Sequence, residues 1–231
     1  MRYRVVESPK TRLRLRHENI QILSDRVWPS LQSLLHCRDS IRRLIVTAPL
    51  RDISLVNDFE LLEELDMWPR CAPTGSIVLS RLTRLRSLTI DRGVDVDMDE
   101  GRVLEELYLE APYVAWNEFL RELPVLKSLS LISPRKLPGI LPESLRSLEI
   151  SVFRRGPERH IFQGIEGVTR LDLTGVRGMS DLRSFSAIRE LELLYAEDCD
   201  ELASLNGPGL SPRFALHLIG RTKLASNEGR G

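Results

Sequence analysis

One six-residue pattern, apolar-x-x-Leu-x-apolar, recurs along the chain at a nearly constant interval and dictates a repeat architecture. It stands at Ile41/Leu44/Val46, Leu62/Leu65/Met67, Leu85/Leu88/Ile90, Leu104/Leu107/Leu109, Leu126/Leu129/Leu131, Leu145/Leu148/Ile150, Val168/Leu171/Leu173 and Ile188/Leu191/Leu193. The central leucines lie 21, 23, 19, 22, 19, 23 and 20 residues apart. Less regular copies extend the series at His17/Ile20/Ile22 and around Leu216/Leu218. Atypical ends are what a stack requires, because a terminal unit is covered on one side only.

Within each copy the second and third apolar residues alternate with polar ones, which places them on one face of a short strand. A lone strand cannot bury that face. Parallel stacking of successive strands makes a continuous leucine core and leaves the alternate residues on an open sheet face. The intervening residues, roughly 13 per copy, must return on the other side. Three returns read as helical: Asp25–Cys37 behind Trp28-Pro29, Val56–Glu63, and Ala115–Glu122 before Pro124. Pro134, Pro138, Gly139 and Pro142 make another turn-rich, and Gly156-Pro157 breaks a further one.

Copies such as Leu104-Glu-Glu-Leu-Tyr-Leu, Leu126-Lys-Ser-Leu-Ser-Leu and Leu145-Arg-Ser-Leu-Glu-Ile resemble the leucine-rich-repeat superfamily over residues 41–194. The irregular spacing is similar to the repeat halves of F-box proteins, and Leu141-Pro-Glu-Ser-Leu-Arg-Ser-Leu is similar to repeats of bacterial effector ubiquitin ligases. The resemblance implies an α/β solenoid, a curved horseshoe with a parallel β-sheet on its concave face and irregular helix or turn returns on its convex face. It also implies a platform for protein partners. One family feature is missing in this frame. The Asn or Cys three residues after the last core position is replaced by Pro49, Arg70, Gly93, Pro112, Pro134, Phe153, Val176 and Ala196, so backbone groups in those turns must find other partners.

Residues 1–220 read as one repeat domain: an N-terminal cap and degenerate first repeat at 1–40, eight clear repeats at 41–194, and a C-terminal degenerate repeat or cap at 195–220. Residues 221–231 are polar and read as a disordered tail. Arg12, Arg14 and Arg16 alternate with Leu13 and Leu15, and Tyr3 and Val5 across the turn Glu7-Ser-Pro-Lys suggest a partner strand, hence a hairpin cap.

Thirty-three basic residues balance thirty-three acidic ones, so no global field draws the chain to nucleic acid or an anionic membrane. Cys37, Cys71 and Cys199 are too widely spaced for a zinc signature and odd in number for a disulfide framework. With no apolar signal core and no long apolar run, the expectation is a cytoplasmic monomer.

Local charge is another matter. Stacked in register, the residues flanking each central leucine form columns on the concave face, rich in carboxylates and bordered at the strand entrance by Arg42, Arg86, Lys127, Arg146 and Arg189 beside Glu63 and Glu105. The candidate binding residues are Glu64, Asp66, Trp68, Asp91, Glu106, Tyr108, Glu110, Glu149, Asp172, Glu190 and Glu192. In this frame Glu149, Asp172 and Glu192 stand abreast on three successive strands, where like charges destabilise unless a cation joins them. A basic segment of a partner would do so, with Trp68 and Tyr108 as aromatic anchors.

Other motifs carry less. Asp95-Val-Asp97-Met-Asp99 with Glu106 resembles an EF-hand loop but has Glu100 where the turn glycine belongs, so it reads as a solvated acidic return. His36-Cys37 diverge on a helix, Gly164-Ile-Glu-Gly167 is a turn, and Arg154, Arg155, Arg159 and His160 form a basic loop without aromatic interleaving. The expected function is a non-catalytic scaffold with no cofactor and no metal. A substrate-recognition subunit of a ubiquitin-ligase or effector system is the alternative, and a carboxylate- or metal-dependent enzyme ranks third.

Overall fold

In the computed structural model, residues 4–6, 19–22, 31–46, 52–68, 74–90, 94–97, 103–112, 116–153 and 162–224 are described. They belong to two compact units, Met1–Leu107 and Tyr108–Gly231, taken here one at a time. The pattern read from sequence forms strands in both, and the architecture is a solenoid of parallel strands.

The first unit holds β1 (Arg4–Val6), β2 (Asn19–Ile22), β3 (Arg43–Val46), β4 (Glu64–Met67), β5 (Ser76–Val78), β6 (Ser87–Ile90) and β7 (Asp95–Asp97). Strands β1, β2, β3, β4 and β6 lie side by side, all parallel. Their register aligns Ile20, Leu44, Leu65 and Leu88 in one row, of which the three leucines are fully buried. Each contributes about 2 kcal/mol of burial relative to an exposed side chain. Strands β5 and β7 pair separately, also in parallel. One expectation changes here, at Asp95-Val-Asp97. Strand β1 runs parallel to β2; the partner strand of the expected hairpin, Arg12 to Arg16, lies outside the described residues. Asp95-Val-Asp97 is a strand and not a loop, with Val96 buried and both carboxylates exposed.

Strand β8 (Glu106–Glu110) begins in the first unit and ends in the second. The second unit continues with α1 (Trp116–Phe119), β9 (Ser128–Ile132), β10 (Ser147–Ser151), β11 (Arg170–Thr174), β12 (Leu191–Glu197) and β13 (Leu210–Ile219). Strands β9 to β13 are parallel neighbours in chain order. Leu129, Leu148, Leu171, Leu194 and Leu216 form the central row.

The returns have a period of their own. Apolar residues recur every third position into the strand: Val56/Phe59/Leu62/Leu65, Leu79/Leu82/Leu85/Leu88, Phe162/Ile165/Val168/Leu171 and Phe185/Ile188/Leu191/Leu194, all buried. Three residues per turn is 3₁₀ geometry, and N–H groups accordingly reach carbonyls three residues back, as from Phe59 to Val56 and from Leu82 to Leu79. The helical expectations therefore resolve into 3₁₀ segments at Leu31–Ser40, Ser54–Asp58 and Leu120–Glu122, with α1 a single turn, and further 3₁₀ segments stand at Leu79–Arg81 and Arg183–Phe185. Residues 23–30, including Trp28-Pro29, lie outside the described residues. Successive returns in the second unit pack through Phe162 and Phe185, whose rings stack at 5.1 Å.

One frame was misread. Strand β12 aligns Leu194, not Leu191, with Leu171, and Ala196 with Leu173. The run Leu182, Phe185, Ile188, Leu191, Leu194 is apolar at every third position, so a slip of three residues keeps its core periodicity. What separates the two frames is the turn that follows. In the observed frame Asp198 takes the left-handed position and Cys199 is buried after it; in the other, Tyr195 would have to be left-handed, which a bulky side chain resists.

That left-handed position supplies the missing turn partner. Four residues after the central leucine, Ala111, Ser133, Val152, Gly175, Asp198 and Gly220 have φ of 48°, 49°, 55°, 60°, 49° and 73°. The first five donate their N–H to the last strand carbonyl of the next turn, at Ile132, Ser151, Thr174, Glu197 and Ile219, over 2.7–3.1 Å. Backbone thus satisfies backbone where the asparagine was absent. One residue later, Pro134, Phe153, Val176 and Cys199 are buried in succession, and the Cys199 thiol lies 3.5 Å from the carbonyls of Leu173 and Glu197.

Candidate functional site

Because side chains alternate across a strand, the leucine rows that build the core also array polar residues on the opposite face. In the second unit one such row reads Ser130, Glu149, Asp172, Tyr195, His217. The row toward the strand ends reads Ile132, Ser151, Thr174, Glu197, Ile219.

Hydrogen bonds hold this face in place. Glu149 accepts from the Ser130 hydroxyl at 2.7 Å through one oxygen and from Ser151 at 3.1 Å through the other. Asp172 sits abreast of Glu149, and its Oδ2 takes Arg170 Nε at 2.8 Å. The Asp172 side chain is 16% exposed, and its Oδ1 is buried with no hydrogen-bond partner among the described residues. Beyond it, Tyr195 donates its hydroxyl to Glu197 Oε2 at 3.0 Å. That bond chiefly, then burial and the charges of Glu197 and Asp172, holds the Tyr195 phenol above the ordinary tyrosine range.

The predicted trio is corrected accordingly. Glu149 and Asp172 do stand abreast, but Tyr195 takes the third place, and Glu192, like Glu190, is exposed at the entrance of β12. Sequence reasoning missed Tyr195 and Glu197 because the slipped frame put them beyond the strand. Asp198-Cys199, a left-handed-tolerant residue before a buried small one, was the signal that could have found them.

In the first unit the predicted residues are engaged differently. Glu64 pairs with Arg43 on the neighbouring strand, Asp66 lies half-buried between Ile45 and Thr89, and Glu106 accepts from the Ser87 hydroxyl at 3.2 Å. Trp68 is half-buried at the end of β4, its N–H bonded to Val46. Tyr108 and Glu110, which belong to the second unit, are half-buried along β8. Asp91 lies outside the described residues, as do Asp99 and the basic loop Arg154, Arg155, Arg159 and His160.

The basic entrance is less free than its sequence suggests. Arg42 pairs with Glu63, and Arg86 lies 3.5 Å from Glu105. In the second unit Arg146 donates to the carbonyls of Leu145 and Glu143, against Gly167, where a Cβ would come within 2.3 Å of its guanidinium. Gly164 turns at φ 78° with its back to the Leu141 carbonyl, so the Gly-x-x-Gly segment is a packed turn.

On the return side of the first unit, Arg38, Asn57, Asp58, Glu60, Arg81 and Thr83 line an open cavity of about 250 Å³. Its charges are mixed and partly paired, Arg81 lying 4.0 Å from Asp58. Among the described residues no three His, Cys, Asp or Glu side chains come together to hold a metal ion, and no helix is long and apolar enough to cross a membrane. The second-unit face can accept hydrogen bonds and positive charge beside a planar ring. No protein family, curated protein or solved structure matches the chain.

Proposed function

We propose that the protein is a cytoplasmic leucine-rich-repeat horseshoe acting as a non-catalytic scaffold, taking a basic segment of a protein partner on its open sheet face. The carrying observation is the second-unit row. Glu149 and Asp172 stand abreast next to Tyr195, and Asp172 keeps an acceptor oxygen that no group among the described residues fills. An arginine or lysine laid across the row would meet the paired carboxylates and lie against the ring, and a turn of the Asp172 carboxylate would bring its unfilled oxygen to the cation. Serine hydroxyls and Glu197 already fix the flanking groups, which lowers the ordering cost of binding.

The family reading has two supports. The inward leucine rows are those the resemblance implies, and in the observed frame Cys199 occupies the position at which the superfamily carries Asn or Cys.

The test is fluorescence anisotropy with labelled arginine-rich and aspartate-rich peptides of equal length. The arginine-rich peptide should bind, weaken with salt, and lose affinity on Asp172→Lys and Tyr195→Ala with unchanged circular dichroism. Equal binding of both peptides, or indifference to both substitutions, would refute the reading.

A further inference from the structure

Strand β13 has a neighbour on one side only. Leu210 and Ala215–Ile219 pair with β12, and no strand follows β13 in the sheet among the described residues. The inward row is open there. Leu194 and Ala196 of β12 are fully buried, whereas the residues aligned with them, Leu216 and Leu218, and Phe214 before them, are half-exposed. The described chain beyond β13 does not close this gap. It turns at Gly220, gives the Arg221 N–H to Asp198 Oδ1, and carries Leu224 to the Leu202 carbonyl on the return side.

The backbone at this edge has a definite phase. The Ile219 carbonyl accepts the Asp198 N–H, so Ile219, His217 and Ala215 turn their polar groups toward β12. Alternation then turns both the N–H and the C=O of Phe214, Leu216 and Leu218 outward. Unpaired groups beside half-exposed apolar side chains are the template for adding a strand.

We propose that β13 pairs antiparallel with β13 of a second copy about a twofold axis through Leu216, in place of the monomer expected from sequence. The composition of the strand selects that register. With the axis at Leu216, Leu216 faces itself and Phe214 faces Leu218, all with outward-turned backbone, so each facing pair exchanges two hydrogen bonds. Ala215 lies opposite His217, and Arg213 opposite Ile219. Pro212, which has no N–H to give, falls opposite Gly220 and ends the ladder. An axis at Ala215 would instead set Arg213 against His217 and bring Pro212 inside, and an axis at His217 would set Arg213 against Arg221. A register shifted by one residue would place inward residues opposite outward ones. A second copy thus supplies a complementary edge, and a twofold contact closes without leaving a further edge at that end.

Sedimentation velocity on the full chain across the micromolar range tests this. The expected result is a concentration-dependent dimer with no larger species. Ile219 is 47% exposed, so its replacement leaves the core alone. Ile219→Lys sets a lysine opposite Arg213 of the second copy, twice by symmetry, and should raise the dissociation constant roughly two- to thirty-fold; Ile219→Glu should lower it. Leu216→Pro removes an outward N–H without touching the ladder to β12 and should give a monomer. Should that variant fail to fold, the Ile219 pair still decides. A wild-type chain that stays monomeric throughout, or a dimer whose affinity ignores the sign of the charge at 219, overturns the proposal.

Discussion

Replacing Asn57 by alanine should destabilise the first unit by about 2–4 kcal/mol. Asn57 sits in the return between β3 and β4, 6% exposed, and its amide spans the backbone of β5: Nδ2 donates to the Ser76 carbonyl at 2.9 Å, and Oδ1 accepts from the Val78 N–H at 2.7 Å. The side chain therefore behaves as one more residue of the β5 ladder, bridging either side of buried Ile77. Alanine removes both bonds. Each orphaned backbone group costs about 1–3 kcal/mol, and water entering the space of the lost amide offsets part of the sum. Urea unfolding followed by circular dichroism measures the total. Because repeat arrays need not unfold as one unit, amide exchange at Val78 locates the loss. Asn57→Asp sharpens the test. A carboxylate keeps the Val78 bond but opposes the Ser76 carbonyl, whereas the protonated acid can donate to it. Burial and that repulsion raise the folded-state pKa of the new group, so its contribution is present below the unfolded pKa and is lost as pH rises through the folded one. A loss under about 0.5 kcal/mol for Asn57→Ala, with Val78 exchange unchanged, would refute the reasoning.

Gly175→Val should cost about 1–2 kcal/mol in thermal or urea unfolding through strain at φ 60° alone, since a Cβ there meets nothing nearer than 3.8 Å. Val152→Gly, which relieves the same conformation but frees the unfolded chain, should change stability far less; equal losses from both would remove the strain argument. The Tyr195 phenol should ionise later on alkaline absorbance titration than in Glu197→Gln. Its folded pKa is raised, so the contribution is present below the ordinary tyrosine pKa and lost as pH climbs through the folded value. Cys199 is fully buried, and burial chiefly raises its thiol pKa, so alkylation with peptide mapping should spare it in the native chain and mark it in urea. Native labelling at Cys199 would contradict its burial.

How much of this was legible in the residues follows from what each signal depends on. Strand positions were, because one buried face forces alternation around Leu44, Leu65, Leu88, Leu129, Leu148 and Leu171. The β12 frame was not, because an every-third apolar run looks the same after a slip of three. That slip hid Tyr195 and Glu197 and promoted Glu192. The row of left-handed residues was invisible for a different reason. Its bonds use main-chain N–H and C=O, so Ala111, Ser133, Val152, Gly175 and Asp198 share a conformation without sharing a side-chain chemistry. Past the last strand, the Leu224 N–H reaches the Leu202 carbonyl, and residues 225–231 lie outside the described residues.

The left-handed row also divides the repeat into two currencies of length. In the six repeats where the left-handed residue is described, its distance from the central leucine is four positions, from Leu107/Ala111 to Leu216/Gly220. The interval between central residues, by contrast, runs from 19 to 24. Insertions and deletions accepted by this chain should therefore accumulate in the returns, whereas one residue gained between leucine and ladder would uncouple two adjoining turns at once. Residue numbering along such a protein resembles a metrical line, strict at the cadence and free before it.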